Sequence, residues 1–129
     1  MSNPSKILSV DDSKTIQRII ANASKVLDLE TLTADNGKVA LDVLEENSKD
    51  IALILLDWNM PVMSGLDVLK AVKQNPAWKH IPVMMVTTQA AKADMTEALQ
   101  EGASNYLAKP FEQEDLVIKI MECLNNTMM

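Results

Sequence analysis

Short apolar runs alternate with longer segments of helical period along this chain of 129 residues. The clearest run, Ile51 to Leu56, is apolar at every position, which is typical of a parallel strand buried on both faces. The segment from Ser13 to Leu27 instead places Ile16, Ile20 and Ala23 on one helical face. Because these two patterns recur in alternation, the sequence predicts repeated strand–helix units.

The predicted strands are Lys6 to Val10, Glu30 to Ala34, Ile51 to Leu56, Ile81 to Val86 and Ser104 to Leu107. The predicted helices are Ser13 to Leu27, a segment after Gly37 that ends near Asn47, Ser64 to Gln74, Ala90 to Glu101, and a closing helix. Short connections between such units favour right-handed crossovers. We therefore predict a doubly wound α/β fold, with five parallel strands in the flavodoxin-like order 2-1-3-4-5 and five helices.

Three details of the last two helices are predicted from their patterns. Met95, Ala98 and Leu99 should face the core, and Gly102 should cap the end of their helix. The closing helix should bury a stripe with a spacing of three and four residues, formed by Val117, Ile120, Met121 and Leu124.

Composition narrows the class of protein. A net charge of −6 opposes binding to nucleic acid. The only cysteine, Cys123, excludes an intramolecular disulfide and fits a reducing compartment. No apolar run approaches the roughly 18 residues of a membrane span. We expect a cytoplasmic monomer without membrane insertion.

Chemically capable side chains follow four of the predicted strands. They are Asp11, Asp12, Asp57, Thr87, Thr88 and Lys109. Any one of them could be a helix cap or a surface charge. However, ligands of such folds bind beyond the carboxyl ends of the strands, and the predicted order brings all of these ends to one edge.

Three carboxylates at one place repel one another unless a cation binds between them. One divalent cation together with Lys109 would neutralise them. Ligands that are all oxygen atoms favour a hard cation, and the small number of protein ligands fits Mg²⁺. The end of the fifth strand should lie about 10 Å from Asp57, so only a long side chain such as Lys109 can reach it.

Four stretches resemble the response-regulator receiver family over roughly Lys6 to Cys123. They are SVDDS (Ser9 to Ser13), LLDWNMPVMSG (Leu55 to Gly65), VTT (Val86 to Thr88) and GASNYLAKPF (Gly102 to Phe111). The resemblance implies one receiver domain over residues 5–125 with no output domain. It also implies a phosphoprotein of a two-component system that modifies itself and is not otherwise an enzyme.

The resemblance also implies a role for each matching residue. Asp57 would be the phosphoryl acceptor, while Asp12, Asp57, the Asn59 carbonyl and, through water, Asp11 would bind Mg²⁺. Thr87 and Lys109 would contact the phosphoryl group, the Lys109–Pro110 bond would be cis, and Tyr106 would change rotamer on activation. The phosphodonor would be a sensor histidine kinase.

The output is predicted from the same resemblance. A single-domain chain carrying Lys92, Tyr106 and Lys119 resembles the chemotaxis-type regulators, whose face formed by the fourth helix, fifth strand and fifth helix docks onto the flagellar motor switch. Thr88 and Gln89 replace a pair that is frequently small then acidic in enteric relatives. We predict that Asn59 and Gln89 flank the hydrolysing water and set the phosphoryl lifetime.

Several alternatives stay open at this point. The chain could be a phosphorelay intermediate that passes its phosphoryl group to a His-containing transfer protein. The strongest enzyme alternative is an aspartyl-phosphate hydrolase with Asp11 as nucleophile, although Ser13 stands where a second acid is expected. The chain lacks the glycine-rich loop of a flavodoxin-like cofactor binder and the motif of a P-loop nucleotidase. An adaptor that never takes phosphate would not explain the set of acidic residues. We also predict that Trp58 is partly exposed near the metal and that Trp78 is loop or core packing.

Overall fold

The computed structural model describes residues 4–88 and 91–128, and the side chains up to Asn125. The strands are β1 Lys6–Val10, β2 Glu30–Ala34, β3 Ile51–Leu56, β4 Val83–Thr87 and β5 Asn105–Ala108. The helices are α1 Lys14–Val26, α2 Gly37–Asn47, α3 Gly65–Gln74, α4 Lys92–Gln100 and α5 Gln113–Met128, and a 3₁₀ turn occupies Ser48–Asp50.

All strand pairs are parallel, and the order across the sheet is β2-β1-β3-β4-β5. The predicted fold class and order are therefore confirmed. The chain winds from β1 to β2 in one direction and from β3 to β5 in the other, so the winding reverses between β1 and β3. Folds of this class bind ligands at such a switch point.

Alternate residues of each strand feed two separate cores. In β3, Ile54 and Leu56 pack with α2, α3 and α4, whereas Leu53 and Leu55 pack with α1 and α5. Because side chains alternate between the two faces of a strand, a strand covered by helices on both sides must be apolar throughout. This explains the continuous apolar run from which β3 was predicted.

Capping side chains fix where three helices begin. Ser13, Asn36 and Ser64 each accept a hydrogen bond from the backbone N–H three residues later. Each cap follows a strand end directly or through a loop, so it also sets the direction in which the chain leaves the sheet. At the other end of α4, Gly102 has a φ of +109°, which confirms the predicted glycine cap.

The predicted boundaries of two strands were wrong by one or two residues. β4 begins at Val83 because the Ile81 N–H bonds to the Trp78 carbonyl in a turn, and Pro82 has no N–H to give the ladder. β5 runs from Asn105 to Ala108, one residue later than predicted. The predicted first residues of α4 include Ala90, which lies outside the described residues.

Two predicted core residues are exposed. Leu99 is 49% exposed, because α4 turns Ala98 and the partly buried Met95 toward the sheet. Met121 is 46% exposed, because α5 buries Leu116, Ile120 and Cys123 at a spacing of four and three residues. The buried face of α5 is thus rotated slightly about the helix axis from the face that was predicted.

Candidate functional site

The carboxyl ends of β1 and β3 bring three carboxylates together. Asp11 and Asp57, at the ends of β1 and β3, are buried, and Asp12 is exposed. One oxygen atom from each of the three lies within 4.8 Å of the other two. These three acids therefore form one cluster at the predicted edge of the sheet, with Asp12 facing solvent.

Lys109 reaches this acidic cluster from the end of β5. Its Nζ lies 2.7 Å from Oδ2 of Asp11 and 3.4 Å from Oδ2 of Asp57. Burial raises the pKa of the Asp11 carboxyl above its ordinary value, while the hydrogen bond from Lys109 acts in the opposite direction. Lys109 thus stabilises the ionised form of a carboxylate whose ionisation burial disfavours.

Three hydrogen bonds fix the position of Asp11. Its N–H donates to the Ala34 carbonyl at 3.0 Å, and its Oδ1 accepts from the Ser13 N–H at 2.9 Å. Its carbonyl accepts a 2.6 Å hydrogen bond from Nε2 of Gln17, which is only 7% exposed. Gln17 did not figure among the predicted site residues, because a polar side chain gives no signal in an apolar pattern.

Asp57 is fixed by the backbone around it. Its N–H donates to the Val10 carbonyl at 3.0 Å, and the following loop closes with a 2.8 Å bond from the Gly65 N–H to the Trp58 carbonyl. A Cβ atom on Gly65 would lie 2.8 Å from the Asp57 carbonyl carbon, closer than such atoms approach in proteins. A glycine is therefore required for α3 to begin against Asp57.

Thr87 lies at the same edge of the sheet as the acidic cluster. It is the last residue of β4, is fully buried, and its carbonyl accepts a 2.9 Å hydrogen bond from the Lys109 N–H. The next residue, Thr88, is exposed. β4 thus ends with a buried hydroxyl side chain in the strand next to the one that carries Asp57. The Lys109–Pro110 bond is cis, as the resemblance implied.

Residues 7–121 match the response regulator receiver domain family. The chain belongs to this family. Chemotaxis protein CheY1 of Helicobacter pylori is 42% identical to the receiver over 116 residues, which cover 89% of this chain and 93% of that protein.

Two solved structures have the same fold as the receiver. The chemotaxis response regulator CheY4 of Vibrio cholerae has a TM-score of 0.86 and 32% identity, covering 93% of this chain and 98% of that one. The Mn²⁺-bound form of response regulator Rcp1 has a TM-score of 0.79 and 34% identity, covering 92% and 91%. The receiver is accordingly of the chemotaxis type, within two-component signalling, and its relatives are not a family of enzymes in the usual sense.

Tyr106 lies inside the receiver in this structure. It is 7% exposed and packs in the core on the α2, α3 and α4 side of the sheet. Burial raises the pKa of its hydroxyl, and the charges of Asp94 and Asp57 act in the same direction. Within the described residues the hydroxyl is buried without a hydrogen-bond partner. A buried hydroxyl in that state carries a desolvation cost, which makes this rotamer of Tyr106 less favourable.

A groove of about 320 Å³ opens beside Asp12 and the loop after β3. Its other lining residues are Trp58, Asn59, Met60, Pro61 and Ser64. Trp58 is partly exposed, as predicted, and Trp78 packs in the core. The exposed side of the acidic cluster therefore faces an open groove with an indole in its wall.

The remaining predicted residues are spread around this edge and beyond it. Asn59 is exposed in the loop after β3, Lys92 is exposed at the start of α4, and Lys119 is half-buried on α5. Gln89 lies outside the described residues. Their roles stay predictions. None of the helices in the described ranges has the length and apolar character needed to cross a bilayer.

Proposed function

We propose that this receiver is a switch that is controlled by phosphorylation of Asp57 and operates in chemotaxis. The cluster of Asp11, Asp12 and Asp57, with Nζ of Lys109 on the first and last of them, carries the proposal. Such a cluster offers a carboxylate nucleophile together with a cation that can bind a phosphoryl oxygen. An adaptor that never takes phosphate would have no use for this costly concentration of charge.

The three carboxylates also fit a magnesium ion. Their oxygen atoms are close enough to share one hard cation, and Lys109 alone cannot balance three negative charges. Asp12 and Asp57 would hold the ion with the Asn59 carbonyl, and Asp11 through water. The related response regulator Rcp1 has a Mn²⁺-bound form, which supports binding of a divalent ion by this fold. When bound, Mg²⁺ neutralises charge on the phosphoryl group that is being transferred.

The chain's own side chains perform the transfer. A carboxylate oxygen of Asp57 attacks the phosphorus of a kinase phosphohistidine, the P–N bond breaks, and the imidazole leaves. Nζ of Lys109, already 3.4 Å from Oδ2 of Asp57, donates to an oxygen of the transferred group. The product is an acyl phosphate on Asp57, and water later hydrolyses it.

The switch follows from the new charge at Asp57. We expect the Thr87 hydroxyl to donate to the phosphoryl group, and the space that it vacates to hold the Tyr106 ring in the buried position it already occupies here. This biases an existing equilibrium of the face formed by α4, β5 and α5, which carries Lys92 and Lys119. We propose a protein of the flagellar motor switch as the target, and a sensor histidine kinase as the phosphodonor.

Labelling with a small phosphodonor tests the proposal. The chain is treated with acetyl phosphate and Mg²⁺, the acyl phosphate is reduced with borohydride, and the modified residue is located by mass spectrometry. We expect modification of Asp57, its loss in Asp57→Asn, and its retention in the exposed control Asp42→Asn. Modification of Asp11 instead would support the hydrolase and overturn the proposal.

Tryptophan fluorescence tests the metal site separately. In a Trp78→Phe variant the remaining indole, Trp58, lines the groove beside Asp12. We expect Mg²⁺ to change its emission, and Asp12→Asn in the same background to remove the change. An unchanged spectrum would count against a metal at this place.

Two further measurements address lifetime and output. Charge swaps at Asn59 and Gln89 should change the rate of dephosphorylation, and an unchanged rate would reject their proposed role.

Capture of partners with and without beryllofluoride should retain a motor-switch protein only in its presence. Transfer of the phosphoryl group to a His-containing transfer protein would instead favour the phosphorelay.

A further inference from the structure

A buried glutamine links the acidic cluster to the loop after β2. Nε2 of Gln17 donates to the Asp11 carbonyl at 2.6 Å and to Oδ1 of Asp35 at 2.8 Å. The same Oδ1 accepts from Nζ of Lys14 at 3.0 Å. The two N–H groups of one side-chain amide therefore donate to two different segments, one that follows β1 and one that follows β2.

The bond to the Asp11 carbonyl bears directly on Asp12. That carbonyl and the Asp12 N–H belong to one planar peptide unit. Fixing the oxygen fixes the plane, and with it the direction in which Asp12 leaves the end of β1. The Asp12 side chain is exposed, so core packing does not hold its carboxylate.

Asp35 in turn holds Gln17. The Gln17 side chain is 7% exposed on a helix that begins at Lys14, and it reaches past the strand end to a carboxylate on the neighbouring loop. The hydrogen bonds from Gln17 and Lys14 lower the pKa of the Asp35 carboxyl, so Asp35 stays charged and accepts strongly. Asp35 thus fixes the Gln17 amide, and the amide in turn fixes the peptide between Asp11 and Asp12.

We propose that Gln17 is a positioning residue for the metal site, acting through the Asp11–Asp12 peptide and anchored by Asp35. The inference depends on the proposed metal site and names the part of the chain that preorganises it. Groups behind a metal ligand typically contribute 10- to 100-fold to metal affinity. We expect a loss in that range when the amide is removed.

The test uses Mn²⁺ alone and counts free ions by electron paramagnetic resonance, so that it needs neither phosphate nor a fluorescent residue. Gln17→Met keeps the length of the side chain and removes both donors. We expect its dissociation constant to rise about tenfold. Asn22→Met is the matched control, an exposed position on the same helix, and should bind as the unmodified chain does.

Rescue separates positioning from a general packing defect. Gln17→Lys restores donors that can reach the same two oxygen atoms, although its charge opposes a cation. We expect it to bind Mn²⁺ more tightly than Gln17→Met. Both variants are compared in about 1 M KCl, which screens the added charge, and equal affinities there would indicate packing alone and overturn the inference.

Asp35 provides a second route if Gln17→Met does not fold. Asp35 is largely exposed, so its variants should fold. Asp35→Ala removes the anchor and should weaken Mn²⁺ binding, whereas Asp35→Asn keeps an acceptor oxygen and should weaken it less. Unchanged affinity in both Gln17→Met and Asp35→Ala would overturn the inference and leave the proposed function standing. Failure of the unmodified chain to bind Mn²⁺ would overturn both.

Discussion

At the scale of single residues, one ammonium group stands between two carboxylates that would otherwise repel each other. Lys109 contacts Asp11 more closely than Asp57, at 2.7 Å against 3.4 Å. The closer contact is to Asp11, which is proposed to bind the metal through water, and the longer one is to Asp57, the proposed nucleophile. Asp57 therefore keeps an oxygen available for attack while Lys109 remains within reach of the phosphoryl group.

Removing this cation should slow phosphorylation. We expect Lys109→Met to reduce the rate of Asp57 labelling by acetyl phosphate by about 10²-fold, the usual cost of one lost donor to a developing charge. Mg²⁺ binding should persist or tighten, because a positive charge has left the site. Rapid-quench labelling and Trp58 fluorescence measure the two effects. Lys79→Met, at an exposed turn, is the control, and an unchanged labelling rate in Lys109→Met would contradict the role.

The buried thiol of Cys123 gives a prediction about pH. Burial raises its pKa from 9.0 to about 11, and the charge of Glu122 acts in the same direction. The unfolded thiol therefore ionises first as the pH rises. The contribution of Cys123 to stability should be complete below pH 9.0 and should be lost between 9.0 and about 11.

Urea unfolding of the unmodified chain and of Cys123→Ala across this range measures the effect. The difference between their unfolding free energies should shrink as the pH rises, while lysine and tyrosine titrations cancel between the two chains. A difference that is constant with pH would show that the thiol is not protected by the core.

At the scale of the elements, periodicity predicted the strands and helices because each element buries a regular set of positions. β2 and β3 have their predicted bounds, since turn residues or polar caps border both. The apolar pattern could not say which side of α4 faces the sheet. Met95, Ala98 and Leu99 are all apolar, and only the packing of Ala98 and Met95 in the folded core shows that Leu99 lies outside it.

The acidic cluster was predictable for a similar reason. Asp11, Asp12, Asp57 and Lys109 follow strands directly, so the order of the sheet alone brings them to one edge. Gln17 was not predictable in this way. Its role depends on where a helical side chain points relative to the next loop, and that direction is set by the packing of α1 on the sheet.

The beginning of α3 gives a prediction at this scale. We expect Gly65→Ala to cost about 1–3 kcal/mol of stability, because the added methyl group overlaps the Asp57 backbone, which cannot move without shifting β3. Labelling of Asp57 should slow as well, since its position changes. Thermal unfolding and acetyl phosphate labelling measure the two effects.

The matched control for Gly65 lies away from the site. Gly102→Ala is also strained, because the φ there is +109°, but its Cβ would press on the flexible Lys73 side chain. Gly102→Ala should lower stability and leave the labelling of folded protein unchanged. Equal labelling of both alanine variants would show that Gly65 has no special relation to Asp57.

At the scale of the whole molecule, folding concentrates negative charge that Lys109 neutralises only in part. Mg²⁺ should raise the melting temperature, because a ligand that binds only the folded chain contributes about 2.7 kcal/mol at 100 times its dissociation constant. Asp12→Asn should abolish this shift. Without metal, Asp12→Asn should melt above the unmodified chain because one repulsion is gone. Differential scanning calorimetry with and without Mg²⁺ measures both effects, and a metal-induced shift that survives in Asp12→Asn would place the ion elsewhere.

The ion pair between Lys109 and Asp11 joins residues 98 positions apart, and the turn between α3 and β4 divides the proposed machinery in two. The carboxylates lie before this turn, and the hydroxyl and the cation lie after it. A chain interrupted there yields two pieces, neither of which can form and respond to an aspartyl phosphate. A chain still being synthesised likewise cannot form this complete site until β5, which Lys109 follows, has joined the sheet. We therefore expect the rate of acyl phosphate formation to report the reassembly of separately expressed halves.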